Sequence, residues 1–226
     1  MNLQLILDSL PALLAGTLET LRLVVLSLLA GFALAIGVAM MRLSSVRPVA
    51  ALADAYTFFF RSTPLLVQIF LIYYGLGQFE AVRESILWPV LREPYWCAIL
   101  ALTLNSAAYT GEIIRGGIQA VPFGQIEAAR ACGMSGALLY RRIILPQAFR
   151  LALPAYGNEM ILMVQASALA STITIMELTG TARAIASRTF QPVEAFVIAG
   201  AIYLALNFLI SRGVKLAEAR LSHAQR

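Results

Sequence analysis

From Leu23 to Met41 the chain reads LVVLSLLAGFALAIGVAMM, without one charged side chain. A membrane-spanning helix needs about 20 mainly apolar residues, because each advances 1.5 Å through a hydrocarbon core of about 30 Å. Such a run constrains the fold more than any other feature of the sequence. The rest of the chain agrees with it. Of 226 residues, 60% are hydrophobic and only 13% charged, where an ordinary soluble domain is about half apolar and about one quarter charged. A soluble fold of this length could not hide so much apolar surface and still cover itself with polar groups. This excludes a disordered chain, a disulfide scaffold and a nucleic-acid-binding domain. The net charge of +5 matters for where the cations sit, not for their sum.

Five segments qualify as spans, which makes the chain an all-α membrane protein. They run from about Leu21 to Met41, Val49 to Leu76, Tyr95 to Ile114, Pro146 to Leu169 and Glu194 to Ser211. The second holds Asp54 and Arg61, with Pro64 as an expected kink. The third includes Glu112 and the fourth Glu159. Eleven of the 17 basic residues fall in the segments between spans one and two, between three and four, and after five. Five fall on the opposite face. The basic-rich face is expected to be cytoplasmic, with the N-terminus outside and the C-terminus inside. The first charge is Asp8, so no cleaved signal peptide is expected.

Two connections are more than turns. Residues 78–94, with Trp88 and Trp96, read as an external segment on the membrane interface. Residues 170–193 are too polar to span and read as a partly helical external gate. Cys97 and Cys132 fall near opposite faces, cannot pair, and read as small apolar fillers. His223 reads as solvated, in a basic amphipathic tail along the inner surface. The chain reads as one domain, residues 1–226, with no internal repeat, low-complexity tract or metal-ligand cluster.

The connection from Val121 to Phe149 is the most informative. Pro122 and Gly124 stop the preceding helix. Ile126–Ala131 holds good helix formers, and Gly133, Ser135 and Gly136 make a break. A second short helix, Ala137 to Ile144, runs into Pro146. Two short helices meeting at glycine make a compact knob able to enter a groove on a partner. A plain connecting loop is the alternative on physical grounds.

The pattern E-A-A-x3-G-x9-I-x-L-P is present in full, at Glu127, Ala128, Ala129, Gly133, Ile143, Leu145 and Pro146. It resembles the cytoplasmic loop of permease subunits of bacterial ATP-binding cassette importers. The stretches FRSTPLLVQIFLIYYG (Phe60 to Gly75), LNSAAYTGEIIRGGIQAVPFGQIEAA (Leu104 to Ala129) and LPAYGNEMILM (Leu153 to Met163) are similar to the polar amino-acid branch. Closest in type are the M-type permeases for arginine, ornithine, histidine, lysine or opines. The resemblance implies a type I, MetI-like permease fold. It also implies several partners: a second permease subunit (a paralogue), an ATPase dimer, and a periplasmic binding protein for basic amino acids. By the same resemblance Glu127, Ala128, Ala129 and Gly133 couple the permease to the ATPase. ATP and Mg are expected on that partner, because this chain has no G-x-x-x-x-G-K-[ST] phosphate loop. No cofactor is expected in the chain itself, and no enzyme activity.

Ionisable groups in a bilayer cost about 2.5–3.5 kcal/mol at the helix centre, so each needs a partner or a task. Glu159 beside a pathway would suit a guanidinium or ammonium group. Its alternatives are a helix-start carboxylate or a pair with a neighbouring arginine. Asn158, Met163 and Ser167 are placed with it along the pathway: Met163 and Ala166 share its face by helical spacing, with Ser167 alongside. Where the family often has a basic residue followed by a hydroxyl pair, this chain reads Gln165, Ala166, Ser167. The lost cation is compatible with a cationic substrate. Arg61 would hold a substrate carboxylate or pair with Glu112 or Asp54, the pair being preferred. Glu112 also lies one turn from Arg115. Thr63, Gln68, Asn105 and Tyr109 would bind substrate or, more commonly, join helices. A secondary transporter would need repeats or matched broken helices. An intramembrane protease would need paired aspartates, and Asp54 stands alone. A rival within the importer class is a carrier of neutral or acidic polar amino acids such as glutamine.

Overall fold

The computed structural model describes residues 3–223, and they are helical nearly throughout. Helix α1 (Leu3–Arg42) is followed by α2 (Arg47–Ser62) and α3 (Leu65–Phe70), which continues through a π turn (Leu71–Gly75) and a 3-10 turn (Leu76–Gln78). Two single-turn helices follow, α4 (Glu80–Arg83) and α5 (Trp88–Leu91), and then the long α6 (Pro94–Gln119). The connection that follows holds α7 (Phe123–Ala131) and α8 (Gly136–Leu139), with a π turn over Tyr140–Ile144. It leads into α9 (Leu145–Ser167), a 3-10 segment (Ala168–Ile173), α10 (Leu178–Thr189) and α11 (Pro192–His223).

Among the described residues, three helices are long and apolar enough to cross a membrane unbroken: Asp8–Arg42, Pro94–Gln119 and Pro192–Leu221. Two bent helix pairs bring the candidates to five if each counts as one span. The α2–α3 pair turns by 104°, and the α9 segment turns by 50° into α10. The expected second span is therefore a broken helix, not a kinked one. Pro64 has no N–H, and the residue before a proline is driven out of the helical region. Thr63 accordingly sits at φ −105°, ψ 142°.

Several ends also differ from the expectation. Helix α1 starts far before Leu21, and α11 passes Ser211 without interruption, so the tail through His223 continues the same helix. Residues 224–226, including Arg226, lie outside the described part. Gly124 sits inside α7 instead of ending α6, and the second short helix flows into α9 without stopping at Pro146. Leu145 N–H bonds back to Tyr140 O, so the π turn carries the helix up to the proline, whose ring supplies no N–H.

The bundle is held by close approach. Lipid tails are as apolar as leucine, so membrane helices associate through packing and small residues. A Cβ at Gly31 of α1 would meet Ser106 Cβ at 3.2 Å, and one at Gly111 of α6 would meet Val38 at 3.1 Å. A Cβ at Gly117 would lie 2.7 Å from the Ala148 carbonyl oxygen. These contacts set α6 against α1 on one side and α9 on the other. Leu23, Ile69, Cys97, Ala98, Ala101, Ala170 and Ile173 form one buried cluster, and Val24, Leu28, Leu102, Met163 and Val164 another.

Candidate functional site

The break between α2 and α3 would orphan the last carbonyls of α2 at membrane depth, where no water can satisfy them. Two side chains from outside α2 cover it. Gln68 Nε2 donates to Phe60 O (2.9 Å), Thr63 O (3.0 Å) and Thr63 Oγ1 (2.8 Å), sharing two hydrogens among three acceptors. From α6, Asn105 Nδ2 donates to Phe60 O (3.2 Å) and to Gln68 Oε1 (3.1 Å). Tyr56 Oη adds a bond to Leu104 O at 2.7 Å. Thr63, Gln68 and Asn105 are thus one interlocked patch that pins the break to α6. The sequence offered substrate contact or helix joining, and these bonds join α2, α3 and α6.

About two helical turns further along α6 lies a cluster of charges. Glu112 is paired with Arg42 from the end of α1. It also accepts from Arg115 through Nε at 3.1 Å and Nη2 at 3.0 Å, a two-point fork. Arg42 Nε also lies 2.6 Å from Asp54 Oδ1 on α2. Arg61 stands 3.9 Å from Glu112 and sits over the Tyr109 ring, 5.1 Å from its centroid. The expected Arg61–Glu112 pair exists, but Glu112's closer partners are Arg42 and Arg115. Sequence reading placed Arg42 in a loop and so missed it; its position at the last residue of a spanning helix was the available signal. Arg42, Asp54, Thr57, Phe58, Arg61, Ser62, Tyr109 and Glu112 line a cavity of about 540 Å³.

Glu159 is almost completely buried, at 5% exposure. Among the described residues it forms no ion pair. Met163 and Ser167 are buried on the same face, and Ser167 Oγ is spent on Val164 O at 2.7 Å. Asn158 is not part of this wall. It is exposed and lines a separate crevice against α11.

The α7–α8 knob has its own small core of Val121, Ala129, Leu139, Ile144 and Ala148. Ala129 therefore serves inside the knob, whereas Glu127, Ala128 and Phe123 are exposed. Gly133 has φ +80°. Its N–H bonds to Arg130 O (2.9 Å), and the Met134 N–H bonds to Ala129 O (3.0 Å). That is the two-bond helix ending that needs a left-handed residue, which glycine supplies without strain. Cys132, expected as a filler, is exposed, while Cys97 is buried.

At the other end of the bundle, sequence reading missed a polar knot. Glu177 is fully buried. It caps α10 by accepting from Thr179 N (2.9 Å) and Gly180 N (2.7 Å), and it accepts from Tyr203 Oη (2.9 Å) of α11. Thr20 of α1 donates to it at 3.4 Å and accepts from Leu178 N at 3.1 Å. The knot ties α10, the proposed gate, to α1 and α11. The run Glu177-Leu178-Thr179-Gly180 opening a helix was the sequence signal.

Comparison with known proteins adds to this geometry. Residues 27–223 match a family model described as "Binding-protein-dependent transport system inner membrane component". The chain is 59% identical over 219 residues to the nopaline transport system permease protein NocM of Agrobacterium fabrum, covering 96% of this chain and 91% of that protein. It is 44% identical over 212 residues to the histidine/lysine/arginine/ornithine transport system permease protein HisM of Escherichia coli, covering 93% and 89%. Among solved structures, an amino acid ABC transporter crystallised with histidines superposes with a TM-score of 0.88 at 39% identity, covering 97% of this chain and 99% of that one. The MetNI methionine transporter in an inward-facing form gives 0.76 at 18% identity, a likeness of fold.

Proposed function

Since the chain belongs to the family of binding-protein-dependent transport inner membrane components, we propose that it is the permease subunit of an ATP-driven importer of basic amino acids or opines. The observation that carries the substrate class is Glu159. A carboxylate buried in a membrane bundle without a counter-ion is costly. An incoming guanidinium or ammonium group supplies the missing charge and can fork onto both oxygens. The names of the relatives, which transport nopaline or histidine, lysine, arginine and ornithine, support the same class. Arg61 keeps 44% of its side chain exposed in the cavity and has donors free for a substrate carboxylate.

In this reading the α7–α8 knob docks in a groove of a separate ATPase, which binds ATP and Mg. Glu127 and Ala128 face it, and Gly133 holds the knob's shape. The knob lies at the cytoplasmic end and the Glu177 knot at the outer end, with the N-terminus outside. ATP binding closes the ATPase pair, and the helices rock outward. A periplasmic binding protein then releases the substrate, which passes Glu159 between this chain and a paralogous second permease. The test is uptake of labelled arginine, ornithine, histidine and glutamine by the complete complex in proteoliposomes, native and Glu159→Gln. Basic amino acids should enter with the native chain, and uptake should fall at least about tenfold with Glu159→Gln while the binding protein still binds them. Uptake of glutamine without arginine would overturn the substrate class and leave the importer assignment standing.

A further inference from the structure

Helices α9 and α11 touch most closely where Gly157 meets Val214. A Cβ at Gly157 would lie 2.5 Å from a Val214 methyl group. Around that crossing point the helices part to leave a crevice of about 200 Å³. Its walls are unusual for a membrane helix pair. Asn158 from α9 and Ser211, Lys215 and Glu218 from α11 supply the polar groups, beside Pro154 and Ile161. On α11 these positions follow helical spacing, so they form one stripe facing α9. Asn207, one turn further along the stripe, has a buried side-chain carbonyl oxygen with no hydrogen-bond partner. Lys215 and Glu218 stand three residues apart, yet they form no ion pair among the described residues. On α9 the flanks are exposed and apolar, at Leu151 and Leu162. They suit acyl chains. The crevice is built on α9, which begins at the knob, and on the C-terminal part of α11, a stretch that also carries Arg212 and Arg220.

We propose that this crevice binds the headgroup of a zwitterionic phospholipid carrying a primary ammonium group, that is, a phosphoethanolamine lipid. Lys215 takes the phosphate as a point charge, with the Asn158 amide and Ser211 hydroxyl as additional donors. Glu218 takes the ammonium. A separated cation and anion in one crevice match a headgroup with both charges. They select against phosphatidylglycerol, which leaves Glu218 facing an anion. They also select against phosphatidylcholine, whose quaternary nitrogen has no N–H to donate. This site is independent of the substrate reading: Glu159 faces the opposite side of α9 and does not line the crevice.

Native mass spectrometry of the complete complex, released from nanodiscs of equal parts phosphatidylethanolamine, phosphatidylglycerol and phosphatidylcholine, reads the site directly. One phosphatidylethanolamine should remain per copy of this chain under activation that strips the other two. Lys215→Ala should lower its retention about tenfold, the effect of losing one charge-assisted contact. Glu218→Gln should abolish the preference over phosphatidylglycerol. Thermal unfolding of the native complex, titrated with each lipid, gives the same answer without variants: phosphatidylethanolamine should raise the midpoint most. Equal retention of the three lipids, or retention unmoved by both substitutions, would overturn the proposal. Retention of free inorganic phosphate in place of lipid would also overturn it.

Discussion

Replacing Gln68 by Leu removes two donors and one acceptor from the break between α2 and α3 and keeps most of the side-chain volume. Asn105 still reaches Phe60 O at 3.2 Å. Thr63 O loses its side-chain donor, and the Asn105 N–H that faced Gln68 loses its acceptor. Two orphaned groups at roughly 1–3 kcal/mol each predict a loss of about 2–6 kcal/mol. An ordinary hydrogen bond between membrane helices contributes only about 0.6 kcal/mol. The difference arises because Gln68 is 3% exposed. Equilibrium unfolding of the reconstituted permease by steric trapping measures it, with exposed Gln165→Leu as the control. A double-mutant cycle with Asn105→Ala should show coupling of at least about 1 kcal/mol. A loss near 0.6 kcal/mol, or additive single mutants, would refute the argument that this patch seals a broken span.

Other outcomes follow from the same geometry. Gly117→Ala should destabilise the bundle by about 1–3 kcal/mol, since its methyl would press on the Ala148 carbonyl; thermal unfolding in detergent reads this. Tyr203→Phe removes one of the bonds to Glu177 and should cost about 1.5–3 kcal/mol, seen as faster proteolysis of the α10 segment. Gly133→Ala should strain the left-handed turn by about 1 kcal/mol, which a coupling assay would register as lower transport per ATP hydrolysed. Glu112→Gln should leave Arg42 and Arg115 competing for a neutral amide, and crosslinking of cysteines placed at the α1 and α6 ends should fall.

The apolar run from Leu23 and the candidate spans were legible in the sequence because length and hydropathy decide them, and the Pro64 break point because a proline excludes the helix before it. The Glu127–Pro146 pattern was legible because its helix formers and glycines report local backbone needs. The 104° turn was not, because a proline announces an interruption but its angle depends on Gln68 and Asn105 meeting across 37 positions of chain. Arg42 and Glu177 were missed for the same reason. Each gains its role from partners on other helices, and a one-dimensional reading assigns both to connections. Asn158 was misplaced beside Glu159 because adjacent residues on a helix point about 100° apart, so sequence neighbours belong to different walls.

The central claim is that this chain itself reads a cation at Glu159, apart from any selection by the binding protein. Equilibrium binding of labelled arginine and of citrulline, its neutral isostere, to the permease–ATPase complex without binding protein tests that most directly. The account predicts saturable arginine binding, citrulline at least about tenfold weaker, and loss of the difference in Glu159→Gln. Equal binding of the two ligands by the native complex, or arginine binding untouched by the substitution, would contradict it.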